Sequence, residues 1–284
     1  MKMRKVVVIG MGLIGGSVGK ALLKKGLADE VVGVCRRQSS LDRAIKEGVL
    51  TDGYVNNYEK AAFGAEMIVI ATPVATVKDV LKDLSEVIKD QKVIVTDVGS
   101  AKKEIVDYAA GVNGTFLFVG GHPLAGSEKS GVENSTASLF EGSLCVLTDD
   151  EGVTDKDALC EVTGMWEAMG ARVQVQTPEE HDGMIAFTSH LPHIVAYALV
   201  GALPPLPLSM FATGFKDTTR IASSDASLWS EIFLSNRKNL LVAIRRFKDV
   251  ISDIEKDIRE NNKVLLEEKL RDFKKTRDEF SEKD

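Results

Sequence analysis

Residues 5–17 read KVVVIGMGLIGGS, a run of β-branched residues that leads directly into closely spaced glycines. The run predicts a buried strand, and the residues after it follow a helical pattern. Gly10, Gly12 and Gly15 have the GxGxxG spacing. In this fingerprint the first glycine permits a tight turn, the second lets the backbone approach a pyrophosphate, and the third allows close helix–strand packing. The unit therefore predicts a dinucleotide-binding domain.

The segments after this unit alternate between strand and helix patterns up to residue 177. Continuous apolar strands separated by helices indicate a parallel sheet covered on both faces. Strands are predicted at 30–35, 67–71, 93–97, 117–119, 143–147 and 172–175, helices at 41–47, 76–88 and 156–169, and beyond residue 177 further helices at 185–203, 228–258 and 264–280. The fold class is therefore α/β, with a Rossmann-type doubly wound sheet domain over residues 1–177 and an all-helical dimerisation domain over 178–284.

Length and composition limit the class of protein. A chain of 284 residues is typical of two domains. With 36 Lys and Arg against 42 Asp and Glu the net charge is −6, so the chain has no basic excess to neutralise nucleic-acid phosphates. Three cysteines without a CxxC pair, and an N-terminus unlike a signal peptide, predict a reduced, cytoplasmic protein.

An uncharged stretch, residues 183–215, raises the alternative of a membrane span. It contains His190 and His193, and the run Pro204-Pro205-Leu206-Pro207 interrupts it. We therefore interpret it as one buried helix, a turn and the start of another helix, with no membrane partner. The apolar surface of this stretch and of the long C-terminal helices predicts an obligate homodimer through residues beyond 177.

The end of the second strand bears on the choice of cofactor. An NAD site normally has a carboxylate there, but Cys35 is followed by Arg36-Arg37-Gln38-Ser39-Ser40, with no acid until Asp42. Two cations and two hydroxyls suit the 2′-phosphate of NADP, which we expect to be preferred over NAD; a solvated arginine pair is the alternative. The predicted cofactor-binding residues are Gly10, Gly12, Leu13, Ile14, Gly15, Arg36, Arg37, Ser39, Ser40, Thr72, Pro73 and Ser100.

Polar residues follow the later strands, where ligands of such sheets bind. The segments are Ala71-Thr72-Pro73, Asp97-Val98-Gly99-Ser100-Ala101-Lys102 and Gly120-Gly121-His122-Pro123. His122 stands between two glycines and a proline, which predicts a rigidly placed loop histidine. Histidine titrates near neutrality and serves as a general base, and Ser100 can hydrogen-bond its ring. A surface histidine is the alternative.

The helical half supplies further polar groups. His190 and His193 are spaced for one helix face, but no Cys or carboxylate cluster completes a metal site, so we expect none. Arg220 can hold a substrate carboxylate with its planar fork or form a structural ion pair, and the sequence leaves both open.

Several motifs together resemble the TyrA family, the prephenate and arogenate dehydrogenases of tyrosine synthesis. They are GMGLIGGS, ATP, DVGSAK, GGHPLAGSE, EEHD, SHLPH and GFKDTTRIASSD with the following Trp229, and they cover nearly the whole chain in order. GGHPLAGSE and GFKDTTRIASSD are specific, whereas the glycine loop alone is not. The resemblance implies a Rossmann domain, a helical domain that forms a homodimer, and an active site between them.

The resemblance also implies an oxidative decarboxylation of a cyclohexadienol with hydride transfer to NAD(P). By motif, His122 accepts the hydroxyl proton, Ser100 orients it and touches the nicotinamide, and Arg220 holds the side-chain carboxylate. The other implied pocket residues are His193, Ser127, Glu128, His181, Asp182, Lys216, Gly214 and Trp229, the last two acting across the dimer interface. The chain looks like the minimal, monofunctional form, in which tyrosine could inhibit only by competing at the active site.

Two other functions fit part of the pattern. Another Rossmann-plus-helical hydroxy-acid dehydrogenase generally depends on a lysine at the start of the helical domain, whereas this chain places a loop histidine before it. A non-catalytic dinucleotide sensor would have no use for His122, Ser100 and Arg220 together. The sequence leaves prephenate and arogenate both open as the substrate.

Overall fold

Aliphatic runs in the first half of the chain build a parallel six-stranded sheet. Its strands are β1 (Met3–Ile9), β2 (Ala28–Cys35), β3 (Asp52–Val55), β4 (Met67–Ile70), β5 (Val93–Asp97) and β6 (Phe116–Val119). The order is β3-β2-β1-β4-β5-β6. The winding direction reverses between β1 and β4, the point at which doubly wound sheets bind their ligands. The computed structural model describes residues 2–88, 92–112, 115–126, 129, 131–207 and 210–281.

Helices cover both faces of this sheet, as predicted. They are α1 (Leu13–Lys24), α2 (Gln38–Lys46), α3 (Tyr58–Ala62), α4 (Val77–Val87), α5 (Lys103–Gly111) and α6 (Lys156–Ala168). Alternate residues of β1 point to opposite faces, so Val6 and Val8 pack with α1 and α6, while Val7 and Ile9 pack with α4 and α5. The predicted Rossmann-type fold class is confirmed. The sequence patterns missed β3, α3 and α5; of these, β3 and α3 have only four and five residues.

A second, three-stranded sheet extends the first half of the chain. It consists of β7 (Gly121–Pro123), β8 (Leu144–Thr148) and β9 (Arg172–Gln176), with β7 antiparallel to β8 and β8 parallel to β9. The sequence predicts His122 on a rigid loop, whereas the structure places it in β7, paired with Val146. A three-residue strand has too little local pattern to be predicted, because its pairing with β8 is a long-range contact.

Helices follow residue 177: α7 (Pro178–Ile185), α8 (Leu191–Gly201), α9 (Thr213–Thr219), α10 (Ala226–Ser235), α11 (Arg237–Arg259) and α12 (Lys263–Ser281). The predicted helix at 228–258 is divided into α10 and α11 at Asn236. Asn236 is buried and its Nδ2 donates 2.7 Å to the carbonyl oxygen of Asp182. The backbone leaves helical geometry at Asn236, with φ of −116° and ψ of 32°, and this tertiary hydrogen bond holds its side chain there.

The run Pro178–Gly201 has the length and hydropathy of a membrane-crossing helix, a property that core helices of folded proteins share. A π-helical turn, Ala186–His190, interrupts it between α7 and α8. The polar His181 and Asp182 are buried in hydrogen bonds within the protein, which suits a folded domain. The sequence predicts a buried helix here, but in the single chain Ala196 is the buried residue of α8.

The chain divides into two compact units, Met1–Arg237 and Lys238–Asp284. The predicted domain boundary at residue 177 lies inside the first unit and stays a prediction. In the second unit, α11 and α12 are joined by a turn in which Asn261 adopts φ of +49°. Lys269 pairs with the buried Asp257 at 2.5 Å and joins the two helices.

Candidate active site

The first strand ends in a glycine turn lined closely by backbone atoms. Gly10 has φ of +98°, and a Cβ there would lie 2.6 Å from a carbonyl oxygen just beyond β4. A Cβ on Gly15 would lie 2.0 Å from the carbonyl oxygen of Gly10. The Cβ position of Gly12, the N-cap of α1, faces open space. The first-turn N–H groups of α1, with Leu13 and Ile14 partly exposed beside them, therefore fit a pyrophosphate.

A cationic corner follows β2. Arg36, Arg37 and Ser39 are exposed and Ser40 is half-buried. The helix α2 begins at Gln38 and has no acidic residue in its first turn. This corner therefore combines guanidinium groups, hydroxyls and a helix N-terminus, which is chemistry that suits a phosphate.

Thr72 lies against the glycine turn, at the end of β4. A Cβ on Gly10 would lie 3.0 Å from Cγ2 of Thr72. Among the described residues, the buried Oγ1 of Thr72 has no hydrogen-bond partner, which fits a polar group of a dinucleotide. Pro73 is exposed and Ser100 is half-buried beyond β5, so these predicted cofactor residues follow neighbouring strands of the sheet.

His122 projects from β7 against the helical segment. Its Nδ1 lies 2.8 Å from Nε2 of His181, and the two rings meet edge to face with centroids 5.1 Å apart. His181 lies in the first turns of α7, which Thr177 and Glu180 begin with a reciprocal capping box. The capping box thus fixes the residue at which α7 begins, and this start places His181 beside His122 of β7.

Asp182 fixes the direction of these hydrogen bonds. Its Oδ1 lies 2.8 Å from Nδ1 of His181 and accepts from the N–H of Lys102 at 2.7 Å, while Oδ2 accepts from the N–H of Lys103 at 3.0 Å. A carboxylate only accepts, so Nδ1 of His181 carries its proton and Nε2 accepts from Nδ1–H of His122. We infer that Nε2 of His122 holds the lone pair, as a general base requires.

The electrostatics keep this base unprotonated. Burial holds the pKa of His122 well below its ordinary value of 6.5, and His181, Lys102 and His190 reinforce the shift. Burial also lowers the pKa of His181, although Asp182 opposes that change. Burial raises the pKa of Asp182, but the hydrogen bonds from His181 and the two amides outweigh it, so that pKa lies below its ordinary value.

For Ser100, His181 and Asp182, the contacts in the structure differ from those that the sequence leads us to expect. The sequence assigns the orientation of the His122 ring to Ser100, but among the described residues the ring bonds to His181, and no hydrogen bond joins it to Ser100. His181 and Asp182 are expected to line the substrate pocket, yet both are buried and their polar atoms are committed to protein groups. In the single chain they therefore hold the His122 ring from within the protein, and their place in a substrate pocket stays a prediction.

His193, Trp229 and Arg220 form a second group on the helices. Nδ1 of His193 lies 3.0 Å from the carbonyl oxygen of Ser189, and its ring stacks on Trp229 of the same chain with centroids 3.3 Å apart. Burial lowers the pKa of His193 and the nearby Arg220 lowers it further. Arg220 is exposed, and no ion pair holds it among the described residues, which favours a ligand carboxylate over the structural ion pair.

The remaining predicted residues are less informative. Lys216 and Gly214 are exposed on α9. Ser127 and Glu128 lie outside the described residues. Within the described part of the chain, no group of three or more His, Cys, Asp or Glu is placed to hold a metal ion.

The sequence reasoning missed the roles of Asp97, Lys102 and His190. Asp97 and Lys102 form a fully buried ion pair within the DVGSAK motif. His190, in the π-helical turn, is buried beside Trp229, and burial lowers its pKa to about 4. The chain has four histidines. His122 and His181 form one group, and His190 and His193 both lie beside Trp229 in the other. That clustering was hidden because they are spread over residues 122–193.

A glycine turn at the carboxyl edge of a doubly wound sheet, followed in the chain by a helical half, is the architecture of nicotinamide-dinucleotide-dependent dehydrogenases. Comparison with known proteins agrees. The family model "Prephenate dehydrogenase, nucleotide-binding domain" matches residues 18–175, and "Prephenate dehydrogenase, dimerization domain" matches residues 177–272. The chain belongs to the prephenate dehydrogenase family, and the predicted family resemblance is confirmed.

Individual relatives are similar over most of the chain. A prephenate dehydrogenase of Bacillus subtilis is 37% identical over 88% of this chain and 68% of its own length. The crystal structure of prephenate dehydrogenase from Aquifex aeolicus with hydroxyphenyl propionate and NAD+ is 35% identical, covers 99% of both chains and has a TM-score of 0.91. The Synechocystis arogenate dehydrogenase structure is 27% identical, with a TM-score of 0.84 over 97% of this chain and 99% of its own.

The buried histidines predict a pH-dependent stability. A histidine whose pKa is lowered by folding stabilises the native state fully above its unfolded pKa of about 6.5, and this contribution is lost as the pH falls. We therefore expect the melting temperature to fall between about pH 6.5 and 4, because His190 takes up its proton near 4 in the folded chain. Calorimetry of the wild type and of His190→Phe tests this, since the variant should show a shallower slope. A melting temperature that is constant across this range would contradict the histidine assignment.

Proposed function

We propose that this protein is a tyrosine-biosynthesis dehydrogenase that oxidatively decarboxylates a cyclohexadienol, prephenate or arogenate. One observation carries the proposal: the hydrogen bonds from Asp182 through His181 leave a lone pair on Nε2 of the half-buried His122, beyond the carboxyl edge of the sheet. The products would be 4-hydroxyphenylpyruvate or tyrosine, together with carbon dioxide and the reduced dinucleotide.

His122 would take the proton of the substrate 4-hydroxyl as the hydride leaves C4. When bound, the oxidised nicotinamide supplies the hydride acceptor. Loss of carbon dioxide from C1 provides the electron pair that makes the ring aromatic, and the phenol oxygen recovers a proton. Because aromatisation drives the reaction, the chain mainly has to place the substrate and supply one base.

Arg220 and His193 would hold the substrate side chain. The guanidinium group of Arg220 is a fork for a carboxylate, and its charge lies close enough to influence His193. His193 is itself fixed by Ser189 and Trp229, so its Nε2 is presented in one orientation. Prephenate and arogenate both carry the carboxylate that this pair would bind.

Two further properties belong to the proposal. Exposed apolar side chains on α8 and α10, among them Val200 at 45% and Leu234 at 69%, support a homodimer, as does the description of the matched dimerization domain. Light scattering at micromolar concentration should give twice the chain mass.

All three cysteines are free thiols, which supports a cytoplasmic location.

Turnover of prephenate and arogenate tests the activity directly. Reduction of the dinucleotide should be accompanied by carbon dioxide, which neither a simple hydroxy-acid dehydrogenase nor a non-catalytic sensor would release. His122→Asn should lower kcat by about 10²–10⁴ and leave substrate affinity within a few-fold. In the wild type kcat/KM should fall with one ionisation below pH 6.5, because the pKa of His122 is lowered. A folded variant with more than about a tenth of wild-type activity would exclude His122 as the base.

Arg220→Gln separates substrate binding from folding. Loss of a charge-assisted hydrogen bond to the substrate carboxylate costs about 1.5–3 kcal/mol, so KM should rise at least about 10-fold with a small change in kcat. The matched control is Arg4→Gln. Arg4 lies near the start of β1, at the end away from the glycine turn, and its exposed ion pair with Glu66 contributes little to stability. Unchanged KM in Arg220→Gln, or unfolding seen by circular dichroism, would remove Arg220 from the substrate site.

Arg36→Ala tests the cofactor preference. We propose that NADP is preferred over NAD, since the end of β2 has Arg36, Arg37 and two serines and no carboxylate to repel the 2′-phosphate. One charge-assisted contact corresponds to about tenfold in kcat/KM, which Arg36→Ala should largely remove. Arg43→Ala, a change at an exposed arginine farther along α2, should leave the ratio unaltered. Equal values for the two cofactors in the wild type would instead favour stacking of Arg36 on the adenine.

A further inference from the structure

A fully buried lysine stands behind the proposed base without a role in the mechanism above. Lys102 and Asp97 are both completely inaccessible to solvent and form an ion pair. Nζ of Lys102 also donates 2.7 Å to the carbonyl oxygen of Gly121, the residue before His122. An ammonium group in the interior of a protein carries a large desolvation cost unless several acceptors surround it.

Asp97 holds the same segment from the other side. Its Oδ1 accepts from the N–H of Gly121 at 3.2 Å, and its Oδ2 accepts from the N–H of Gly99 at 2.8 Å. Both backbone polar groups of Gly121 are therefore bonded to the ion pair. A Cβ on Gly121 would lie 2.7 Å from the carbonyl oxygen of Asp97, so the close approach requires glycine.

Lys102 also reaches the base by a second route. Its backbone N–H donates to Asp182, which bonds to His181, which in turn bonds to His122. One residue thus connects to the backbone before His122 through its side chain and to the His122 ring through its amide. The connection through the side chain acts on the position of the His122 backbone, and the connection through the amide acts on the orientation of the His122 ring.

Stability alone does not account for this ion pair. Apolar residues of similar volume often replace a buried ion pair at no cost in stability. An apolar pair could not bond the N–H and C=O of Gly121, which lie at the junction between β5 of the first sheet and β7 of the second. We therefore attribute this charged pair to the placement of β7, the strand that carries His122.

We propose that the buried Asp97–Lys102 pair is the positioning element of His122, with Lys102 as a positioning residue that fixes the base in place. This role rests on the proposed function in so far as His122 is the base. Lys102 would not contact the substrate, because its side chain is completely buried and its ammonium group donates to Asp97 and Gly121.

The positive charge of Lys102 also bears on the pKa of His122, and other titratable groups face His122 as well. These groups are His181 and Asp182 from α7, His190 from the π-helical turn, Asp97 from the same segment as Lys102, and Cys145 from β8. Burial raises the pKa of Cys145, so its thiol stays neutral. After burial and His181, the ammonium of Lys102 is the next contributor that lowers the pKa of His122. Its removal should move that pKa upward.

Lys102→Met tests the proposal, with Lys78→Met as the matched control. Lys78 lies on α4 and pairs at the surface with Glu104, where ion pairs contribute little. Since small displacements of a base cost up to about 10²-fold, Lys102→Met should lower kcat by about 10- to 100-fold and leave both KM values within about threefold. The acid limb of kcat/KM should move to higher pH, whereas Lys78→Met should match the wild type in all three readouts.

A second variant and a second measurement keep the test decisive. Lys102→Met leaves Asp97 unpaired, so Asp97→Asn/Lys102→Met, which buries no charge, is measured beside it. The His122 titration is followed by NMR without substrate, with its signal identified by its loss in His122→Asn; its pKa should rise in both variants. A folded variant with kcat within about twofold of wild type overturns the proposal. A lower kcat with an unchanged His122 titration does so too. Failure of the wild type to turn over either substrate would reject the proposed function, while the titration would still test the coupling of Lys102 to His122.

Discussion

The hydrogen bond between Nδ1 of His122 and Nε2 of His181 joins the two halves of the site. One partner lies on a short strand of the second sheet and the other in the first turns of α7. Asp182 gives this bond its direction, because a carboxylate can only accept and the amides of Lys102 and Lys103 occupy it from behind. The lone pair of the proposed base therefore depends on contacts that originate at the start of α5.

The same arrangement explains why an apolar helix contains buried polar residues. Pro178–Gly201 has the hydropathy of a membrane-crossing segment, yet His181, Asp182 and His190 in it are buried. Burying such groups is costly unless they are paired, and here they face the sheet edge and Asn236. The π-helical turn at Ala186–His190 separates the residues behind the base from those near Arg220, in line with the frequent placement of π-bulges at functional sites.

Some of the fold and the site could be predicted because the signals are local. The sterics of Gly10 and Gly15 and the alternation of strand and helix patterns gave the Rossmann-type class, and the structure has it. Short elements such as β3 and β7 could not be predicted, since Asp52–Val55 and Gly121–Pro123 contain no continuous apolar run of the kind that marks β4 and β6. The division at Asn236 was missed because the apolar pattern continues through it, whereas the backbone leaves helical geometry there and the side chain bonds to α7.

By itself, the sequence determined the dinucleotide-binding turn and the helical second half, and it singled out His122 as the proposed base. Backbone sterics and hydrophobic periodicity are properties of neighbouring residues, so they can be read along the chain. The tertiary structure alone decided which polar groups pair. His122 and His181 are 59 positions apart, and Lys102 meets Asp182 across 80. Hydrogen bonds over such separations depend on how the strand ends and α7 converge in space, and that convergence turned two expected pocket residues into the support of the base.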